Sequence, residues 1–326
     1  MKNNLILIGG SGLVGSATID YIKKKKDFNL IILDKEQILK SKKLVFYKCD
    51  IRNKKFYKNF INKLPKNSYV VNLAARQYAN NPPNKNRLNW FNSTNYNGGI
   101  NVLNFAKKIE ARGLIQFSTD MVYGIPEYKF IKETNRLNPI GEYGKSKLEI
   151  ENYIIKNRKK FDFPITIFRP RMIIGKGRLG VLKNLFILIK FNLPIPLIGR
   201  GHNHYQMVSD KDCALAIYLC LKAKCPEQIF NLGSYVKKNV KNLLFDLVKH
   251  VKSNSFIMRT PANLLKFVLK ILSTLGLEIL YKEQYELADK DFVVSIDKAE
   301  KELGWQPRDS DMTMLTVAYE DWLKRK

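Results

Sequence analysis

Tyr143 and Lys147 stand one helical turn apart in the segment YGKSK, inside a helix-patterned stretch over residues 139–157, so their side chains share a face. A phenol with a pKa near 10 is a poor base at neutral pH, and lowering it by about three units needs roughly 4 kcal/mol of preferential stabilisation of the phenolate. A neighbouring ammonium supplies much of that, and the pair then suits proton transfer to and from a hydroxyl. In a lysine-rich chain Y-x-x-x-K carries weight only in company. Thr119, in FSTDMVYG, follows an apolar run at 114–118 and offers a hydroxyl that orients the same substrate oxygen.

A second constellation opens the chain. The apolar run 4–9 leads into Gly9-x-x-Gly12-x-x-Gly15 and then a helical stretch at 16–25. Gly9 permits the tight turn, Gly12 lets the backbone approach a pyrophosphate, and Gly15 allows helix and strand to pack closely. The anion then meets the helix N-terminus. Asp34 ends the next apolar run, 19 residues after Gly15, where a carboxylate accepts from both ribose hydroxyls and repels a 2′-phosphate. The expected cofactor is therefore NAD, with Lys35 beside it keeping NADP admissible.

These residues need a scaffold that brings them to one edge. Runs at 5–9, 30–34, 44–49, 70–73, 114–118 and 165–168 read as strands alternating with helical stretches. They are nearly continuously apolar, as strands covered on both faces are, which predicts an α/β fold with a doubly wound, Rossmann-like parallel sheet and ligands at the strands' carboxyl ends. A cofactor domain is expected over 1–175, rejoined by about 205–235 because 229–232 reads as one more strand. A smaller, mostly C-terminal substrate region then comprises 176–204 and 236–326, with helices near 209–222, 238–252 and 311–324. Residues 261–281 place apolar side chains at helical spacing and predict an amphipathic helix serving as a lid, an interface or a membrane-surface contact.

Composition narrows the class. The chain has 326 residues, 45% of them hydrophobic, which suits a globular protein with a full-sized core and excludes disordered and disulfide-scaffold classes. The formal charge of +28 arises from scattered lysines without a nucleic-acid-binding signature, so a solvated basic surface is expected and no nucleic-acid partner. The four cysteines lack zinc spacing and read as reduced thiols, and His202 and His204 read as a surface turn, so no metal is expected. The uncharged stretch 3–19 mimics a secretory signal but is interrupted by glycines. No segment reaches about 18 continuous apolar residues, so no integral membrane segment is expected and the location is expected to be cytoplasmic.

Across nearly its whole length the sequence resembles the extended short-chain dehydrogenase/reductase superfamily, in its NAD-dependent sugar epimerase/dehydratase branch. LIGGSGLVG resembles the family's nucleotide turn and brings in Leu13 and Val14; CDIRN resembles its adenine-side pair, Asp50 and Ile51; VNLAA resembles its fourth strand end, with Leu73, Ala74 and Ala75. TNYNGGINVL retains Asn95, and RPRMIIGKG, with Arg169 and Pro170, resembles the segment that opens the substrate region. The later FNLGS and LGWQP match as well. The resemblance implies that Thr119, Tyr143 and Lys147 are the catalytic trio: Tyr143 removes a proton from a sugar hydroxyl while hydride passes to nicotinamide. It also implies a homodimer and a small-molecule substrate, a nucleotide sugar.

Two departures shape the expectation. Dehydratases of the branch place Glu or Lys after Thr-Asp, whereas Met121 follows Thr119 and Asp120 here, which disfavours 4,6-dehydration. An arginine usually precedes the V-H-V-x-D segment; here the stretch reads NHYQMVSDKD, with His204 and Tyr205 nearby. Substrate contacts are expected from Asp120, Met121, His204 and Tyr205. Arg200 is either a further phosphate contact or a solvated turn residue. The leading reading is a nucleotide-sugar 4-epimerase or 4-keto-sugar reductase. A hydroxysteroid-type or other alcohol dehydrogenase and a non-catalytic dinucleotide-binding regulator stand as alternatives.

Overall fold

A computed structural model describes residues 2–36, 44–177 and 179–325. In chain order its strands are β1 (Asn3–Ile8), β2 (Phe28–Asp34), β3 (Val45–Lys48), β4 (Tyr69–Asn72), β5 (Gly113–Phe117), β6 (Ile165–Pro170), β7 (Met172–Ile174), β8 (Ile195–Ile198), β9 (Met207–Ser209), β10 (Ile229–Leu232) and β11 (Ile257–Thr260). The helices are α1 (Leu13–Lys25), α2 (Arg87–Asn95), α3 (Asn97–Lys108), α4 (Glu142–Lys156), α5 (Leu182–Lys190), α6 (Asp210–Lys222), α7 (Val240–His250), α8 (Ala262–Thr274), α9 (Lys282–Leu287), α10 (Asp297–Leu303) and α11 (Asp311–Lys324).

Seven strands form one parallel sheet in the order β10-β6-β5-β4-β1-β2-β3. Every residue of β4, β5 and β6 is buried, because helices cover both faces and leave no side of these strands for water. The pleat sorts β1 between two cores: Leu5 and Leu7 pack with Ile19 and Ile22 of α1 and Ala216 and Cys220 of α6, while Ile6 and Ile8 pack with Phe105 of α3 and Ile150 of α4. Strand order reverses between β1 and β4. At that switch point the loops diverge and leave a crevice at the strands' carboxyl ends. A third core of α5, α7, α11 and β8, centred on Phe186, Leu247 and Trp322, builds the wall opposite the crevice.

The amphipathic segment corrects one expectation. Its helix, α8, stops at Thr274 rather than continuing to 281, because Gly276 takes a left-handed φ of +81° and the chain turns before α9. Two parallel strand pairs, β7 with β9 and β8 with β11, were not legible from sequence pattern.

Candidate active site

The glycine turn is built as its residue types require. Gly9 has φ +78° and lies so close to β4's exit that a Cβ would sit 2.7 Å from the Ala74 amide nitrogen. At Gly15 a Cβ would meet the Gly10 carbonyl oxygen at 2.4 Å, so only glycine lets α1 start this close to β1. Gly12 caps α1 without a side-chain hydrogen bond, and the first turn carries no acidic residue. The amides at that end are left for an anion. The Ser11 hydroxyl is buried and has no hydrogen-bond partner among the described residues. At the tip of β2, Asp34 accepts the Ser11 amide at 2.9 Å and the Glu36 amide at 3.3 Å, which fixes its carboxylate beside the turn. An open helix end, an orphaned hydroxyl and an anchored carboxylate suit the pyrophosphate and ribose of a dinucleotide. We expect Asp34→Ala to weaken NAD binding by about tenfold or more and to narrow the gap between NAD and NADP, as read by calorimetry with each.

Tyr143 lies in the first turn of α4, with its ring 5.9 Å from that of Tyr78 and 5.7 Å from that of Phe91. One turn on, the buried Lys147 donates from Nζ to the Phe117 carbonyl oxygen at 2.8 Å, latching α4 to the end of β5. Burial pulls its pKa down to about 8, against the opposing pull of Glu151. Beyond Phe117, the Ser118 hydroxyl is buried without a partner among the described residues, and Thr119 donates to Asp120 Oδ1 at 3.0 Å while receiving the Met121 amide at 3.3 Å.

Asp120 pairs with Arg171, a residue sequence reasoning missed although it lies in the RPRMIIGKG segment. Arg171 is buried, 3.9 Å from the Phe292 ring centroid and 4.6 Å from that of Tyr205, and donates to the Gln206 carbonyl oxygen at 3.2 Å. Its Nη2 has no hydrogen-bond partner among the described residues. A desolvated guanidinium with a spare donor pair is suited to a phosphate or sugar oxygen.

One cavity of about 640 Å³ joins these groups. It is lined by Gly9, Gly12, Leu13, Val14 and Gly15 of the turn, Leu73 and Ala75 after β4, and Ser118, Thr119, Asp120 and Met121 after β5. Tyr143, Lys147, Pro170, Arg171 and Tyr205 complete that end. Asp34 and Ala74 stand behind the turn and outside this lining. Other expected contacts are placed elsewhere. Asp50 is gripped by Arg52 Nε at 2.9 Å, which holds its carboxyl below the usual range, and Ile51 packs under Gly98. Asn95 accepts the Arg76 amide at 2.9 Å and donates to the Ser146 hydroxyl, bracing the loop after β4 against α4. Three more lie outside the cavity lining: Arg169 is buried in an ion pair with Glu151, His204 is exposed and paired with Asp291 at 2.9 Å, and Arg200 sits in an exposed turn, the second of its two expected readings.

Helix α4 has a further neighbour. Glu283 of α9 fills the space left by Gly141 and Gly144, where a Cβ would fall within 3 Å of its side chain, and its Oε1 accepts the Gly144 amide at 3.0 Å. Burial, with Glu142 adding repulsion, pushes its carboxyl up to about 7. The folded state therefore holds this proton more tightly than the unfolded chain, and stability should fall as pH rises from 4.5 through 7. Glu283→Gln is expected to add about 2 kcal/mol at pH 8 and nothing at pH 4, read as thermal melts at both values. An equal gain at both pH values would show that this carboxyl does not titrate with folding.

A parallel sheet with a glycine turn at its switch point and a Tyr/Lys helix facing the crevice defines the class of dinucleotide-dependent enzymes that act on hydroxyl-bearing carbon. The chain belongs to the NAD dependent epimerase/dehydratase family, whose sequence profile matches residues 5–233. It is 29% identical over 262 residues to a putative UDP-glucose 4-epimerase of Methanocaldococcus jannaschii, covering 76% of this chain and 81% of that one. It is 26% identical over 303 residues, 92% of this chain and 86% of the other, to an N-acetyl-α-D-glucosaminyl-diphospho-undecaprenol 4-epimerase of Escherichia coli. A match at 31% identity over 214 residues, to an uncharacterized protein of Sinorhizobium fredii, spans 64% of this chain and 53% of that one. The fold is similar to that of a Thermotoga maritima UDP-glucose 4-epimerase solved with UDP-glucose, with a TM-score of 0.77, 21% identity and 99% of each chain covered. The family's cofactor is NAD, and the chain is an NAD-dependent enzyme of that family.

Proposed function

We propose that the protein is a 4-epimerase acting on a sugar bound as its diphosphate, the chemistry common to sugar nucleotides and to the lipid diphosphate sugar named for one relative. The observation that carries this reading is that Tyr143, Lys147, Thr119, Met121 and the glycine turn line one cavity. NAD bound at the turn supplies the hydride acceptor and, once reduced, the donor. Tyr143 takes the proton of the sugar hydroxyl as its carbon is oxidised and returns it as the carbon is reduced. Lys147 holds positive charge on the same helix face and favours the phenolate. Thr119 orients the sugar oxygen, and the spare donors of Arg171 hold a diphosphate or sugar oxygen in place.

Met121 supports epimerisation over dehydration. It lies between Thr119 and Tyr143 in sequence and lines the cavity, and a thioether cannot take the proton that elimination releases. The test is to mix the purified protein with UDP-glucose, UDP-galactose and their N-acetylated counterparts. Interconversion at C4 without added cofactor supports the proposal. Stoichiometric loss of added NADH would replace it with a keto-sugar reductase, and a 4-keto-6-deoxy product would overturn the Met121 argument.

A further inference from the structure

The cavity changes character along its length. Beyond Arg171, the lining contributed by the described residues of 172–315 contains no charged side chain, and among them Asn184, Tyr205 and Gln284 offer polar groups. A nucleoside needs more hydrogen-bond partners than this wall provides, whereas an alkyl or isoprenoid chain needs none. The same wall reaches the surface through α8. Leu265 and Leu269 of that helix line the cavity, while Leu264, Phe267, Val268, Ile271 and Leu275, at the spacing of a single helix face, are between 41% and 69% exposed. Ile279 both lines the cavity and is 54% exposed, so the apolar lining runs unbroken to the outside.

Charge around this stripe is mostly positive, with Lys266 of α8 paired to Asp289 at 2.8 Å and to Glu286 at 3.4 Å. Residues 176–209 and 247–277, which build most of that wall, hold five Lys or Arg each and no Asp or Glu. The next acid, Glu278, is tied to Arg87 at 2.5 Å and is nearly buried, while Arg259 and Lys270 are exposed beside the stripe. An apolar helix face rimmed by exposed cations such as Arg259 and Lys270 complements an anionic lipid surface. A second copy of this chain would bring the same cations against their own kind, because a two-fold contact presents identical patches to each other.

We propose that the α8 end of the molecule seats on an anionic lipid bilayer and that the sugar diphosphate it processes arrives still attached to a lipid chain lying in that bilayer. The proposal rests on the 4-epimerase reading for its chemistry and adds the carrier and the surface. The test pairs vesicle flotation with turnover. Wild-type protein should float with phosphatidylglycerol/phosphatidylcholine vesicles, bind pure phosphatidylcholine weakly, and lose binding as salt is raised. The variant carrying Phe267→Ser and Ile271→Ser, both outside the cavity lining, should bind the mixed vesicles about tenfold or more weakly while keeping NAD affinity and melting temperature.

Turnover of an isoprenyl diphosphate sugar in those vesicles should exceed that of the matching UDP sugar by about tenfold or more in kcat/KM, and the variant should lose that advantage. Absence of vesicle binding would overturn this inference, as would a concentration-dependent dimer abolished by the two substitutions. Either result with UDP-sugar epimerisation intact leaves the epimerase reading standing. Failure of both sugars to epimerise, with vesicle binding intact, would remove that reading instead.

Discussion

Tyr143→Phe should lower turnover by about 10²- to 10⁴-fold, which corresponds to about 3–5 kcal/mol of transition-state stabilisation, and leave NAD affinity nearly unchanged. The substitution removes one oxygen from a ring that keeps its neighbours Tyr78 and Phe91, so fold and crevice are expected to persist. The loss should appear in kcat and kcat/KM alike, since the phenol acts on the reacting hydroxyl. The wild-type pH profile gives a second readout. Burial holds Lys147 at about 8, so its charge drains away as pH passes that value and the rate should decline there. A Tyr143→Phe enzyme with wild-type turnover would refute the assignment, whatever its NAD binding.

Arg169→Met should cost about 3–5 kcal/mol of stability without touching the cavity wall. Arg169 and Glu151 are 1% and 0% exposed, and the guanidinium also donates to the Tyr123 hydroxyl and the Glu133 carbonyl oxygen, both at 3.0 Å. Truncating the cation strands the Glu151 carboxylate on the dry inner face of α4. The cost follows from that stranded charge, so adding Glu151→Leu should recover most of it, and melts of the single and double variants read the difference. A single variant that melts like wild type would show that the pair is dispensable.

The strands and the glycine turn were readable because their signals are local. Apolar runs bounded by turns identify covered strands, and residues 229–232 as well as 311–324 match the structure at both ends. Tyr143 and Lys147 were readable because a helix converts a spacing of four into a shared face. Arg171 was missed for a different reason: its meaning comes from Asp120, Tyr205 and Phe292, on three separate segments. Glu283 reaches Gly144 across 139 residues, and no periodicity reports such a meeting. Arg169 and Asn95, named by resemblance, brace neighbouring elements, a contact that a family motif does not report because it records position and not what a side chain faces. At α8 the apolar periodicity continues past the point where Gly276 ends the helix, so pattern overran backbone geometry.

The place of β10 at the sheet's margin has a consequence for synthesis. β10 covers the outer edge of β6, with the Ile167 amide donating to the Gln228 carbonyl oxygen and that of Arg171 to Leu232. A nascent chain that has emerged through β6 carries a naked, greasy margin until residues 229–232 clear the ribosome. At about 5–20 residues per second, that interval of roughly 60 residues lasts roughly 3–12 seconds. During it the half-finished sheet can recruit a foreign strand, so slowing translation across this stretch should raise aggregation, and premature stops before residue 229 should yield insoluble fragments.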